Sequence, residues 1–262
     1  MNTIQNQKMP ALFLGHGSPM NIIEKNKYSN NWEILGKCLN KPKAILSISA
    51  HWVTRGAFVT AMENPRTIHD FGNFPQALFD IQYPAKGSLD LAKRIQSLIT
   101  KVHVELDSSW GLDHGTWGLL IKMYPEANIP VLQLSLDRSL SPQEHYDLAQ
   151  ELKPLRDEGV LVLGSGNIVH NLQFFSSNPD DEPADWAIEF DEKIKHLLLK
   201  GDHQGILEFE SLGEIAHLSA PTPEHFLPLI YIIALQNEEE RVTFPIEGMV
   251  SKGISMRGVM IS

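Results

Sequence analysis

The feature that most constrains this chain is a set of short, nearly unbroken apolar runs at residues 11–14, 44–48, 129–136 and 160–163. A strand with one wet face alternates apolar and polar side chains, whereas a run without alternation suits a strand covered on both faces, as in a parallel or mixed sheet. Helical patterns separate the runs. Residues 88–99 bring Leu89, Leu91, Ala92, Ile95, Leu98 and Ile99 onto one stripe. Ser141, followed by Pro142 and Glu144, has the form of a capping box with proline in the first turn, and predicts a helix running to about Arg156. A third helix is expected after Pro183, through Trp186, Ile188, Phe190, Ile194, Leu197 and Leu198, with Gly201 as its stop. This alternation predicts an α/β fold, a central mixed, mostly parallel sheet flanked by helices. Residues 178–183 form the most loop-like stretch, too short to separate domains, and no fixed-period repeat is present. Residues 1–262 are therefore read as a single domain, a size one core can organise.

Charge and cysteine usage narrow the function classes. With 22 Lys+Arg against 32 Asp+Glu the net charge is −10, a field that repels phosphate backbones, so no nucleic-acid partner is expected. Cys38 is the only cysteine, which rules out an internal disulfide or thiolate cluster and fits a reducing cytosol. Any metal site must then use His, Asp or Glu. Residues 1–10 are polar, and the longest apolar run, 226–235, is broken by Pro228 and too short to span a bilayer. A cytoplasmic protein without a membrane partner is expected, as a monomer or weak homodimer.

The placement of the histidines carries more information than their count of eleven. His16 follows the first apolar run in ALFLGHGSP, His51 follows the second in AILSISAHW, and His170 follows the fourth in VLVLGSGNIVH. In open α/β sheets ligands bind beyond the carboxyl ends of the strands, so these three side chains are placed to converge. His225, in APTPEHFLP, would project from the first turn of a helix capped at Thr222 and Pro223. His114, between Asp113 and Gly115, is expected in a tight loop. A lone histidine after a strand is commonly a hydrogen-bonded core or loop residue; three in corresponding positions argue for a shared task. Neutral imidazole suits both Zn²⁺ and Fe(II), and three such ligands leave positions open for substrate. His69, His103, His145, His196, His203 and His217 default to structural or surface roles, although the loop TIHDFGNFP around His69 is placed to line a pocket mouth.

Competing readings of the same segments are weaker. GHGSP resembles an anion cradle but lacks the Walker lysine, and neither Ser18 nor Ser165 sits in a Gly-x-Ser-x-Gly elbow. A zinc-dependent hydrolase using those serines, or a non-redox binding protein, remains the alternative.

Taken in order, LGHGSP, SISAHW, LDHGTWG, GSGNIVHNL and PTPEHFLPL resemble the class III extradiol ring-cleaving dioxygenases, specifically the DOPA 4,5-dioxygenase branch and its bacterial zinc-containing members. The motifs span residues 14–229. The resemblance implies an enzyme that opens catechols such as DOPA with O2, by 4,5-cleavage to 4,5-seco-DOPA. It implies one divalent ion per chain, Zn²⁺ or Fe²⁺, with His16, His51 and His225 as ligands. His170 would be either an acid/base beside the metal or an additional ligand, and His114 a catalytic histidine assisting substrate binding or proton movement. Its partners would be a small aromatic diol and O2; no substrate-binding residue beyond these histidines is named. Plant members carry His-Pro in the loop before the last ligand, a loop linked to DOPA specificity, where this chain has Ala220 and Pro221.

Overall fold

The computed structural model describes residues 8–176, 178 and 181–262, so the start read over 1–10 and the loop read over 178–183 lie partly outside the described residues. In chain order the described strands are β1 (Ala11–Gly15), β2 (Ala44–Thr54), β3 (Ala57–Thr60), β4 (Val104–Asp107), β5 (Val131–Asp137), β6 (Val160–Gly166), β7 (Val242–Thr243), β8 (Met249–Val250), β9 (Ile254–Ser255) and β10 (Val259–Ile261). Eight of them form one sheet in the order β4-β3-β5-β2-β6-β1-β10-β7, and β8 pairs separately with β9. The central strands β5, β2, β6 and β1 are mutually parallel, as are β3 and β4. Antiparallel pairs join β3 to β5, β1 to β10, and β10 to β7. The sheet is mixed and mostly parallel, as the sequence predicts.

The unbroken apolar runs are explained by burial on both faces: every residue of β1, β5 and β6 is buried. Leu12 and Leu14 pack with Ile45, Leu161 and Leu163 under Trp32 and Trp117, on the face covered by the helices Lys27–Cys38 and His114–Met123. Ala11 and Phe13 point the other way, with Leu46, Ile48 and Leu134 beneath the helices Pro142–Gln150, Asp185–Lys200 and Leu227–Ala234. Each fully buried large aliphatic side chain contributes roughly 1.5–3 kcal/mol, so the sheet is anchored from both sides. Among the described residues no helix is long and apolar enough to cross a membrane.

Local signals set the helix limits. Ser88 caps Leu89–Leu98 by accepting from the Leu91 amide, and Gly201 ends Asp185–Lys200 in the left-handed region at φ 67°. Ser141 and Glu144 form the expected reciprocal cap. That helix stops at Gln150 rather than near Arg156. A second short helix, Lys153–Asp157, follows with Pro154 in its first turn, where a missing N–H is tolerated but a continuous helix is not.

Strand β2 is longer than its apolar run. Its pairing with β5 shifts register between Ile48 and Val53, so His51 lies inside β2, within that irregular stretch, and not after the strand. Because β6 lies between β2 and β1 and all three run parallel, their carboxyl ends share one rim. That rim is where ligands bind in such sheets.

Candidate metal centre

Three segments meet at the end of β6. His16 directly follows β1 and donates its backbone N–H to the Gly166 carbonyl at 3.2 Å. His225 ends the short 3₁₀ turn Pro223–His225, and its carbonyl accepts from the Asn167 amide at 2.9 Å. Gly166 permits this approach, since a Cβ there would run into that carbonyl. Gly115 plays the same part opposite, where a Cβ would lie 2.7 Å from Ser49 Oγ and 3.0 Å from His51 Cδ2. The result is that one ring nitrogen from each of His16, His51 and His225 falls within 4.8 Å of the other two. Nε2 of His16 and Nε2 of His51 are 3.0 Å apart.

The atoms behind these rings fix their protons. Ser165 Oγ donates its only proton to the Gly115 carbonyl at 2.6 Å, so at 3.0 Å from His16 Nδ1 it must accept. His16 therefore carries its proton on Nδ1 and presents a bare Nε2. Glu224 Oε1 lies 3.2 Å from His225 Nδ1, and His225 Nε2 is buried with no hydrogen-bond partner. Asp70 Oδ2 lies 3.3 Å from His51 Nδ1. Burial pushes the pKa of each of His16, His51 and His225 below the ordinary histidine value, reinforced at His16 by the four rings around it and at His51 chiefly by His114; at His225 the neighbouring Glu224 opposes the shift. One nitrogen of each ring is thus available at the point where the three converge, and His225 Nε2 has no protein partner there. The donor set fits one divalent ion, with an oxygen behind each ligand as metal-bound histidines generally have.

A consequence follows for the ion-free protein. Histidines whose folded pKa is depressed contribute full stability above their unfolded value of 6.5, and that stability is lost as pH falls toward the folded value. The melting temperature of apoprotein should therefore fall from pH 7.5 to pH 5, measured by calorimetry. Relief of the −10 charge on approaching the isoelectric point of 5.5 has the opposite sign but is shared by a His16→Ala variant, so wild type should lose more than that variant, and an equal change in both would refute the assignment.

His170 stands beside the trio. It lies beyond β6, its amide donates to the Ser219 carbonyl at 2.8 Å, and its ring stacks on His225 with centroids 3.5 Å apart and planes 6° apart. Its nitrogens are not part of the three-ligand group. Burial, then the charge of His225, pushes its pKa down to about 3. His114 is the first residue of the helix His114–Met123 and not part of a tight loop. Asp113, which reads equally as a turn residue, is its N-cap and accepts from the Thr116 amide at 3.1 Å. All five histidines line a cavity of about 430 Å³ whose walls are Pro19, Phe71, Phe74, Leu172, Phe175 and Ile254.

The loop around His69 does reach this cavity, through Phe71, Gly72 and Phe74, whereas the His69 ring is held by the Ile81 carbonyl at 3.0 Å. The residue that sequence reasoning missed is Asp70, with Oδ1 3.0 Å from His114 Nδ1 and accepting the His114 amide at 2.9 Å. Burial pushes its carboxyl up, but the bond and charge of His114 more than offset this and hold it below the usual range. Neither serine of the hydrolase alternative is free: Ser165 is fully buried and committed as described, and Ser18 accepts from the Met20 amide as the cap of Pro19–Ile22.

Comparison with known proteins agrees with this geometry. The family described as the catalytic LigB subunit of aromatic ring-opening dioxygenase matches residues 10–261. A 4,5-DOPA dioxygenase extradiol of Escherichia coli K12 is 49% identical over 260 residues, covering 97% of this chain and 95% of its own. The protein of the same description from Beta vulgaris is 41% identical over 241 residues, 88% of each chain. The crystal structure of an uncharacterized Escherichia coli K12 protein matches with a TM-score of 0.85 at 43% identity, covering 97% of this chain and 100% of that one. This family implies a metal cofactor and an aromatic substrate that reacts with dioxygen, and the three-histidine cluster is a group that could hold such an ion. With its fold, its histidine rim and nearly its whole length accounted for, the chain belongs to the LigB family of aromatic ring-opening dioxygenases.

Proposed function

We propose that this chain is an extradiol dioxygenase that opens the ring of catechols, with DOPA, the substrate in the names of its relatives, cleaved at the 4,5 bond to 4,5-seco-DOPA. The observation that carries the reading is the convergence of one ring nitrogen from each of three histidines on the floor of a cavity with phenylalanine walls. His16, His51 and His225 would hold the ion. Bound Fe(II) would supply the redox chemistry dioxygen requires, whereas Zn²⁺ has none and would only polarise, so iron is the ion assigned to turnover. Because all three ligands are uncharged, no ligand charge would offset that of the ion, which favours a catecholate over its diol. Phe71, Phe74 and Phe175 offer faces and edges for the aromatic ring and exclude water from it. His170, one ring thickness from His225, would take a proton from a catechol hydroxyl and return one as the ring opens. His114 would hold a substrate oxygen by hydrogen bond.

The family match over 10–261 supports reading the chain as one catalytic unit, and the exposed lone Cys38 supports a reducing, cytoplasmic setting. The test is an oxygen electrode with Fe(II)-loaded protein and DOPA under air. Oxygen uptake with a yellow ring-opened product is expected. Full iron occupancy with no uptake on any catechol would overturn the proposal.

A further inference from the structure

One carboxylate touches two of the site histidines from outside the cavity. Asp70 lies in the loop before the short helix Gln76–Phe79, its side chain 18% exposed, with Oδ2 at the ion-pair distance of 3.3 Å from Nδ1 of His51 and Oδ1 at 3.0 Å from Nδ1 of His114, neither contact aligned as a hydrogen bond. The same Oδ1 accepts the backbone N–H of His114 at 2.9 Å, a donor that cannot rotate or change tautomer. This amide pins the orientation of the carboxylate: Oδ1 faces His114 and Oδ2 faces His51. The rings of His51 and His114 lie with centroids only 4.1 Å apart, so one acceptor group serves both.

We propose that Asp70 is the positioning residue that sets the tautomers of His51 and His114 together. Its negative charge, nearest to Nδ1 of each ring, favours the proton there and leaves both Nε2 lone pairs free, that of His51 beside His16 Nε2 and that of His114 for substrate. The proposal rests on His51 being a metal ligand, and it makes a prediction that a packing role would not. In Asp70→Asn only one oxygen remains. The fixed His114 amide claims it, so the new NH2 faces His51 Nδ1 and drives that ring to the opposite tautomer, with its proton on the nitrogen that should bind the ion. Asp70→Ala removes the bias without imposing the wrong tautomer. Metal affinity should therefore fall in the order wild type, Asp70→Ala, Asp70→Asn, although Asn is the closer match in shape. Amide-for-carboxylate exchange behind a catalytic histidine acts in this way in serine proteases, where it leaves geometry intact but selects the wrong tautomer.

The experiment is competition for Zn²⁺ against a chromophoric chelator, using wild type, both Asp70 variants and His51→Ala, with circular dichroism to confirm the fold. Asp70→Asn should bind at least about 10–100-fold more weakly than wild type, the usual cost of losing a partner behind a ligand, and more weakly than Asp70→Ala. Wild-type affinity in Asp70→Asn while His51→Ala has lost the ion, or Ala weaker than Asn, overturns the role of Asp70 alone. Retention of the ion by His51→Ala overturns the metal site and this role with it. Should Asp70→Asn fail to fold, ¹⁵N NMR of the histidine-labelled wild-type apoprotein decides: His51 protonated on Nδ1 supports the proposal, and protonation on Nε2 refutes it.

Discussion

Replacing His225 with Ala is expected to lower metal affinity by more than about 100-fold, since losing even a partner behind a ligand costs 10–100-fold, and ring opening should fall in parallel. His225 is the sharpest of the three tests because its Nε2 is buried without any protein partner. Its Nδ1 faces Glu224, so the ring is oriented from behind and has one nitrogen left to use. Burial pushes the Glu224 carboxyl up, but its bonds to His225 and Thr222 prevail and bring it down to about 2, so the orienting group is an anion. Truncation to Ala also removes one of the groups that answer this anion. The measurement is metal per chain after loading and gel filtration, read beside oxygen uptake. A variant that keeps its ion would remove His225 from the ligand set.

The second large effect is expected at His170. His170→Ala should retain the ion while turnover drops by about 10²–10⁴-fold, the usual range for a lost acid/base group. Of the two roles that the sequence leaves open, the geometry supports the acid/base one. The ring stacks face to face on His225 and its nitrogens lie outside the three-ligand group. Steady-state oxygen uptake at equal iron content reads the change. Loss of the ion in this variant would show instead that His170 is a fourth ligand.

Much of this site is legible in the sequence because parallel strands turn chain position into spatial position. His16 and His170 follow buried runs whose strands are neighbours, so a shared rim brings them close. His51 obeys the same logic for a different reason, since it lies within β2 in a register shift that polar Ser49 and His51 hide in the pattern. Asp113 shows a local ambiguity: an aspartate before His-Gly reads as a turn, but its carboxylate caps a helix once Trp117 and Leu120 find a core to bury in. Asp70 could not be found this way. Its partners lie 44 residues ahead at His114 and well behind at His51, and only the closed fold sets them around one carboxylate. The aspartate in HDFGNFP is a visible signal, but the histidine beside it is the more conspicuous ligand type, and that histidine is held by a backbone carbonyl. Ser165 likewise carries no elbow motif because its task is to accept from His16.

The central claim is that His16, His51 and His225 share one ion, and anomalous diffraction at the metal edge of a Zn²⁺-loaded crystal tests it most directly. The account predicts a single peak about 2.0–2.1 Å from one nitrogen of each ring, the usual zinc to histidine distance. A peak held instead by His51, Asp70 and His114, the other group of ligand atoms within 4.8 Å of one another, would contradict it. So would the absence of any peak at this rim of the sheet.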